Sequence, residues 1–196
     1  KAAAESRRSV RKYKPDPIST EELTELIRLT SLAPSSRNIQ PWRFLVVRNP
    51  ELKAKLQEVS YNQSQITSAP AVIVLYSDMQ DVLANIEAVL PPGLDAESFE
   101  RYKTDMLNGH KRFSPEELEH FGATQANIAL GYLMLIARGL GYDTVPMLGF
   151  DAAKVKELLG LPAHVQIPAL VPVGYAAEAG HPHHRHAVDT IVQFRD

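Results

Sequence analysis

The chain contains no cysteine. That excludes a disulfide scaffold, thiol redox chemistry and thiolate metal sites, and it fits a cytoplasmic protein. Any redox chemistry here must therefore be carried by a bound cofactor. No apolar run approaches the roughly 20 residues that span a bilayer, and the first residues carry no apolar signal-peptide core. Neither sign of charge is in excess: 21 Lys and Arg face 23 Asp and Glu, for a net −2. The basic residues are local, so no nucleic-acid surface is expected. Familiar catalytic signatures are missing too. Gly139-Leu140-Gly141 follows a helix-like run and meets Thr144 where a third glycine would stand, so it is no dinucleotide turn. No P-loop, no Gly-x-Ser-x-Gly and no His-Glu-x-x-His occurs, and there is no repeat or low-complexity block. What remains is ordinary for a globular protein, with 44% apolar and 22% charged residues. The expectation is one domain over residues 1–196, long enough to bury a real core.

Periodicity and caps place the elements. Ser19-Thr20-Glu21-Glu22 is a capping box, followed by Leu23, Leu26, Ile27 and Thr30 at helical spacing up to Ala33. A strand is expected over 43–48. A second helix follows from Asn49-Pro50, with Leu52, Leu56 and Val59 on its buried face. Ala71-Val72-Ile73-Val74-Leu75 is a continuous apolar run, as expected of a central strand. Asp95 caps a short helix carrying Phe99, Tyr102 and Met106, with Asn108-Gly109 as its stop. That aromatic and Met stripe reads either as core or, with Phe113, as the lid of a pocket. Ser114-Pro115-Glu116-Glu117 is a second capping box opening the longest helix, to about Arg138. Its small residues (Ala123, Ala126, Ala129, Gly131) would admit another helix closely, including one from a second subunit. Asp151 and Gly160 bracket a further helix. Residues 167–174 read as a strand whose Pro168 and Pro172 suit an edge or bulges.

Three stretches carry chemistry. Ser6-Arg7-Arg8-Ser9-Val10-Arg11-Lys12 is either a solvated basic tail or a phosphate cradle, since guanidinium forks and serine hydroxyls both suit phosphate oxygens. Ala33 to Phe44 sets five hydrogen-bonding side chains (Ser35, Ser36, Arg37, Asn38, Gln40) between Pro34 and Pro41. It reads as an ordinary turn or as a rigid loop aimed at a planar polar ligand. His181-Pro182-His183-His184-Arg185-His186 holds four of the seven histidines, so a metal-binding tail is a third reading.

Taken together, Arg7-Arg8-Ser9-Val10-Arg11, Pro34-Ser35-Ser36-Arg37-Asn38-Ile39-Gln40-Pro41-Trp42, Pro146-Met147-Leu148-Gly149-Phe150-Asp151 and Arg185 resemble the FMN-dependent nitroreductase family, in order and spacing over nearly the whole chain. The resemblance implies an α+β fold: a central, mostly antiparallel sheet flanked by helices, a long central helix, and a domain-swapped type of homodimer. It implies that Arg7, Ser9, Arg11 and Arg185, with Arg8 beside them, hold the phosphate and ribityl chain of FMN. Pro34, Ser35, Ser36, Asn38 and Gln40 would meet the flavin from the partner subunit, and Asn62 would face its pyrimidine side. In the segment Pro146, Met147, Leu148 and Gly149, the N–H groups of the last two would face N5 and O4. Hydride would pass from NADH or NADPH through N5 to an electron-poor acceptor, with ping-pong kinetics and no obligatory side-chain acid or base. Three positions depart from the family, among them Leu148, which replaces a polar residue found in some members. Gln65 stands where several members have lysine near N1 and O2, and His183 stands where relatives often have lysine near the phosphate, which makes its share pH-dependent. Dehalogenation, dehydrogenation, flavin breakdown and non-catalytic FMN binding stay open on the same scaffold.

Overall fold

A computed structural model describes residues 1–195. Four strands, β1 (Trp42–Val47), β2 (Ala71–Ser77), β3 (Asp143–Thr144) and β4 (Gln166–Gly174), form one antiparallel sheet in the order β1-β2-β4-β3. Eight helices surround it: α1 (Ala2–Ser6), α2 (Thr20–Thr30), α3 (Pro50–Glu58), α4 (Gln65–Ser68), α5 (Met79–Ala84), α6 (Ala96–His110), α7 (Pro115–Gly139) and α8 (Ala152–Leu159). The fold is α+β, as expected. Among the described residues no helix is long and apolar enough to cross a membrane.

The apolar run of β2 is buried on both faces because helices cover both. Ala71, Ile73 and Leu75 join Ala169, Val171 and Val173 of β4 against α2 and α7. Val72, Val74 and Leu170 turn the other way, toward Leu56 of α3 and Val155 of α8. Both capping boxes form. Ser19 and Ser114 each accept the N–H of Glu22 and Glu117, whose carboxylates take the cap N–H at 2.8 Å. α7 ends in a Schellman turn, with Tyr142 N–H reaching Ala137 O at 2.8 Å and Gly141 at φ +92°.

Of the edge or bulges expected for the prolines of residues 167–174, the structure shows a bulge at Pro168, and β4 is an interior strand. Met147 and Leu170 exchange both backbone bonds (2.8 and 3.1 Å), so Pro172, two residues on, turns its missing N–H away from β2. On that side it faces only the two-residue β3, whereas Pro168 sits at the shift in register where Leu75 faces Ala169 but Ser77 faces Gln166. α6 runs one residue past the Asn108-Gly109 stop, to His110, with Lys111 as its C-cap. Of the small residues of α7, Ala126 and Ala129 lie buried, whereas Ala123 and Gly131 are half-buried, with open space where a Cβ of Gly131 would stand; Ile128, Tyr132 and Leu135 are exposed.

Candidate functional site

The two ends of the chain meet at the β3 end of the sheet. Residues 9–14 are laced to it: Ser9 bridges Thr144, Val10 N–H donates to Thr144 O (3.3 Å), Lys14 N–H to Tyr175 O (2.8 Å), and Ala177 N–H to Lys12 O (2.9 Å). Tyr13 anchors the segment. It is buried, its N–H donates to Ser68 Oγ (2.9 Å) and its hydroxyl to Val10 O (2.7 Å). Gly180, at φ +68°, lets the tail turn back, since a Cβ there would lie 2.8 Å from that of Arg8. The result is a cavity of about 180 Å³ lined by Arg7, Arg8, Ser9, Arg11, His181, Pro182, His183 and Arg185.

This cavity is electrostatically one-sided. Among the described residues, no carboxylate pairs with the guanidinium of Arg7, Arg8, Arg11 or Arg185. Burial, then the neighbouring charges of Arg185 and Arg8, hold the Arg7 guanidinium below its ordinary value. Arg7 Nη1 is buried with no partner at all. His183 Nε2 donates to Arg7 O at 2.7 Å, which leaves no lone pair there for Arg8 Nη1, 3.0 Å away. Like charges pressed together, with an orphaned donor among them, suit a doubly charged anion of phosphate size.

The polar loop between α2 and β1 forms a second site. Arg37 (φ 51°), Asn38 (59°) and Gln40 (42°) are left-handed. Such backbone costs an ordinary residue about 1–2 kcal/mol and persists only where the surroundings hold it. Gln40 N–H donates to Ser35 Oγ (3.0 Å), Gln40 Nε2 to Asn38 O (3.2 Å), and Ser36 N–H to Gln125 Oε1 of α7 (2.9 Å). Pro34 is exposed at the loop's entrance. Ser35, Arg37 and Asn38 line a cavity of about 710 Å³ with Val89, Tyr102 and Met106. It shares no lining residue with the cationic cavity. Of the aromatic stripe, Tyr102 thus lines this space. Phe99 packs against the cluster of Ile39, Met79 and Val82, and Phe113 stacks on Phe121 with centroids 5.5 Å apart.

A third group surrounds Gly149. Tyr61 and Asn62 are left-handed (φ 53° and 55°) and exposed. Among the described residues, the five left-handed non-glycine residues fall in the loop between Pro34 and Pro41 and at Tyr61-Asn62. Buried Gln65 donates to Gln63 Oε1 (2.9 Å), and Gln63 Nε2 to Gly149 O (2.7 Å). A Cβ at Gly149 would stand 2.8 Å from that amide nitrogen. Met147 is held to Leu170 beyond half-buried Pro146, Leu148 is 77% exposed, and among the described residues neither the Leu148 nor the Gly149 N–H finds a protein acceptor. Sequence reasoning missed Gln63, His181 and Gly180. The tail's turn at Gly180 had a readable signal, whereas the partner of Gln63 lies 86 residues away.

These features define a class: an α+β protein whose chain ends close around an anion-directed cavity, beside two strained polar loops. The Nitroreductase family matches residues 4–175, and the chain belongs to that family. It is 42% identical over 195 residues to a Thermus thermophilus protein named NADH dehydrogenase, covering 100% of this chain and 95% of that one. It is 36% identical over 152 residues to the oxygen-insensitive NADPH nitroreductase of Helicobacter acinonychis, covering 72% and 70%. A protein from Exiguobacterium sibiricum solved in complex with FMN superposes with a TM-score of 0.89 at 30% identity, covering 98% and 95%.

Proposed function

We propose that the protein is an FMN-dependent oxidoreductase that uses NADH or NADPH to reduce an electron-poor acceptor such as a nitroaromatic or a quinone. The observation that carries this reading is the unpaired cluster of Arg7, Arg8, Arg11 and Arg185 around a phosphate-sized cavity. Ser9 adds a hydroxyl and His183 an imidazole at its rim. FMN supplies the electron-carrying chemistry once bound, and the chain's residues position it. The free Leu148 and Gly149 N–H groups are suited to acceptors on the flavin ring, and Gln63 holds the Gly149 carbonyl, in the next peptide unit of the same turn. Asn62 and Gln65 border the same place. No side chain of the three groups is needed as acid or base, and one open face serving donor and acceptor in turn makes the kinetics ping-pong.

A homodimer with FMN at the interface belongs to this reading. Ser35 and Asn38, with Ser36 beside them in the loop, line a cavity that shares no residue with the cationic one, and in this reading one cofactor meets both sets across two chains. Leu32, Tyr132, Leu135 and Leu140, with Val188, Ile191 and Phe194 of the tail, supply exposed apolar surface for the contact. Residues 1–196 act as one unit in it. A cytoplasmic location, where reduced nicotinamide is supplied, belongs to the same reading.

The test is the visible spectrum. The purified protein should be yellow and should bleach when NADH or NADPH is added under nitrogen. Protein that binds FMN but is reduced by neither nucleotide would overturn the reductase. A second outcome concerns the flavin's potential. Gln65 is neutral and its amide is tied to Gln63, so it does little for the anionic reduced flavin. Gln65→Lys should raise the bound flavin's potential by about 30 mV, equivalent to about 1.4 kcal/mol. Redox titration of both proteins decides it, and an unmoved potential would remove Gln65 from the site.

A further inference from the structure

Away from the cationic cavity and from Gly149, at the C-terminal end of β2, where the Asp78 N–H donates to Pro41 O (3.0 Å) beside the polar loop, lies a cluster that the flavin chemistry does not use. Asp78 follows β2, Glu119 lies in the second turn of α7, and His164 sits in the connection from α8 to β4. One donor atom from each lies within 4.8 Å of the other two. His164 Nε2 is 3.0 Å from Asp78 Oδ1. That oxygen also accepts the Asp81 N–H, at 2.9 Å, which leaves Asp78 Oδ2 free.

Glu119 is the anomalous member. It is 3% exposed. Its Oε2 accepts the Met79 N–H at 3.2 Å, while Oε1 is fully buried without a partner. Ser77 Oγ, one residue before Asp78, is buried and orphaned as well. No lysine or arginine of the described residues pairs with Asp78 or Glu119. The nearby Arg43 is committed to Asp81. Two carboxylates and an imidazole converge, then, with no cation among them and one oxygen turned into the protein with nothing to accept. An unsatisfied buried acceptor is costly, and a carboxylate more so.

We propose that Asp78, Glu119 and His164 form a divalent-metal site, for which zinc is the first candidate. Two carboxylate oxygens and one imidazole nitrogen are a donor set for zinc or a similar borderline metal, with water completing the shell. Ligand atoms about 2.1 Å from a tetrahedral metal stand about 3.4 Å apart, so the His164–Asp78 pair, at 3.0 Å, opens slightly, and the Glu119 donor, within 4.8 Å of both, adjusts to them. The site ties α7 and the α8–β4 connection to the end of β2, where the sheet shifts register between Leu75 and Ser77. Its role is to brace that corner.

The experiment uses the FMN-loaded full chain stripped with EDTA, freed of chelator and titrated with zinc chloride by calorimetry. The histidine-rich tail is a competing zinc binder, so His181→Asn/His184→Asn/His186→Asn is titrated in parallel. One equivalent of zinc per chain should bind in both proteins, weaken at least tenfold in His164→Ala and in Glu119→Gln, and raise the melting temperature by roughly 5–10 °C at hundredfold excess over Kd. Flavin absorbance and circular dichroism check that the two site variants fold. In zinc-soaked crystals of the unaltered protein, an anomalous peak should lie among the three side chains, which needs no variant. Zinc binding that vanishes with the tail histidines, or that Glu119→Gln and His164→Ala leave undiminished, would overturn the proposal. So would crystals with no peak there.

Discussion

Arg7→Gln/Arg185→Ala is expected to purify colourless, with FMN affinity lower by roughly 10²–10⁴-fold. Each guanidinium lost removes charge-assisted hydrogen bonds to phosphate, which contribute roughly 1.5–3 kcal/mol apiece. The sign of the second effect separates this reading from a merely structural one. Without an anion the cluster repels itself: Arg185 and Arg8 both disfavour the charged form of Arg7, whose Nη1 has no partner. Stripped of flavin, the double variant should therefore melt no lower than stripped wild type, although it binds far less FMN. FMN affinity of the wild type should also fall as salt rises, and that slope should flatten in the variant. Fluorescence titration of FMN and melting of the two apoproteins measure both. A double variant that holds FMN as tightly as wild type would show that the cavity serves something else.

How much of this could be read from the chain divides along the range of the physics. Local rules succeeded where the competing energies are local. Both serine capping boxes, the Asp78-bounded apolar run and the αL glycine after α8 are decided within a few residues. They failed where a neighbour decided. Pro168 and Pro172 suit an edge or bulges alike in the sequence, and only the shift in register beside Pro168 and the two-residue β3 facing Pro172 decide for an interior strand. The cationic cavity joins residues about 175 apart, such as Arg8 and His183, and no spacing rule reaches that far. Family resemblance brought those residues together, and the structure supplies the reason in the hydrogen bonds of residues 9–14 and in Gly180. The Asp78–Glu119–His164 cluster was illegible for the same reason: three elements each give one residue, with no motif between them.

Gly174→Ala should cost about 3 kcal/mol and also loosen FMN. The added Cβ would stand 2.5 Å from Pro70 Cδ, 2.9 Å from its Cγ and 3.0 Å from Tyr13 Cδ1. A flexible neighbour could yield cheaply, but neither of these can. Pro70 is a closed ring leading straight into β2, and Tyr13 is pinned at both its N–H and its hydroxyl. Overpacking of this kind typically costs 1–3 kcal/mol or somewhat more, which lowers the melting temperature of a protein this size by roughly 6–12 °C. The cavity feels the same push. If Tyr13 moves, Val10 moves with it, and Ser9 and Arg11 flank Val10, so FMN affinity should drop by about tenfold in the same variant. Leu133→Ala separates the two effects: a fully buried leucine of α7 lost to a cavity costs a comparable 2–5 kcal/mol, yet it lies in the core cluster and touches neither end of the chain. Its FMN affinity, measured well below melting, should stay within about twofold of wild type. Pro70→Ala removes the two closest atoms, so Gly174→Ala/Pro70→Ala should regain affinity relative to Gly174→Ala alone, a coupling that a double-mutant cycle reads directly. A Gly174→Ala protein melting within about 2 °C of wild type, with unchanged FMN affinity, would show that the ring and the tyrosine give way freely and that the segment bearing the arginines is not held where its hydrogen bonds put it.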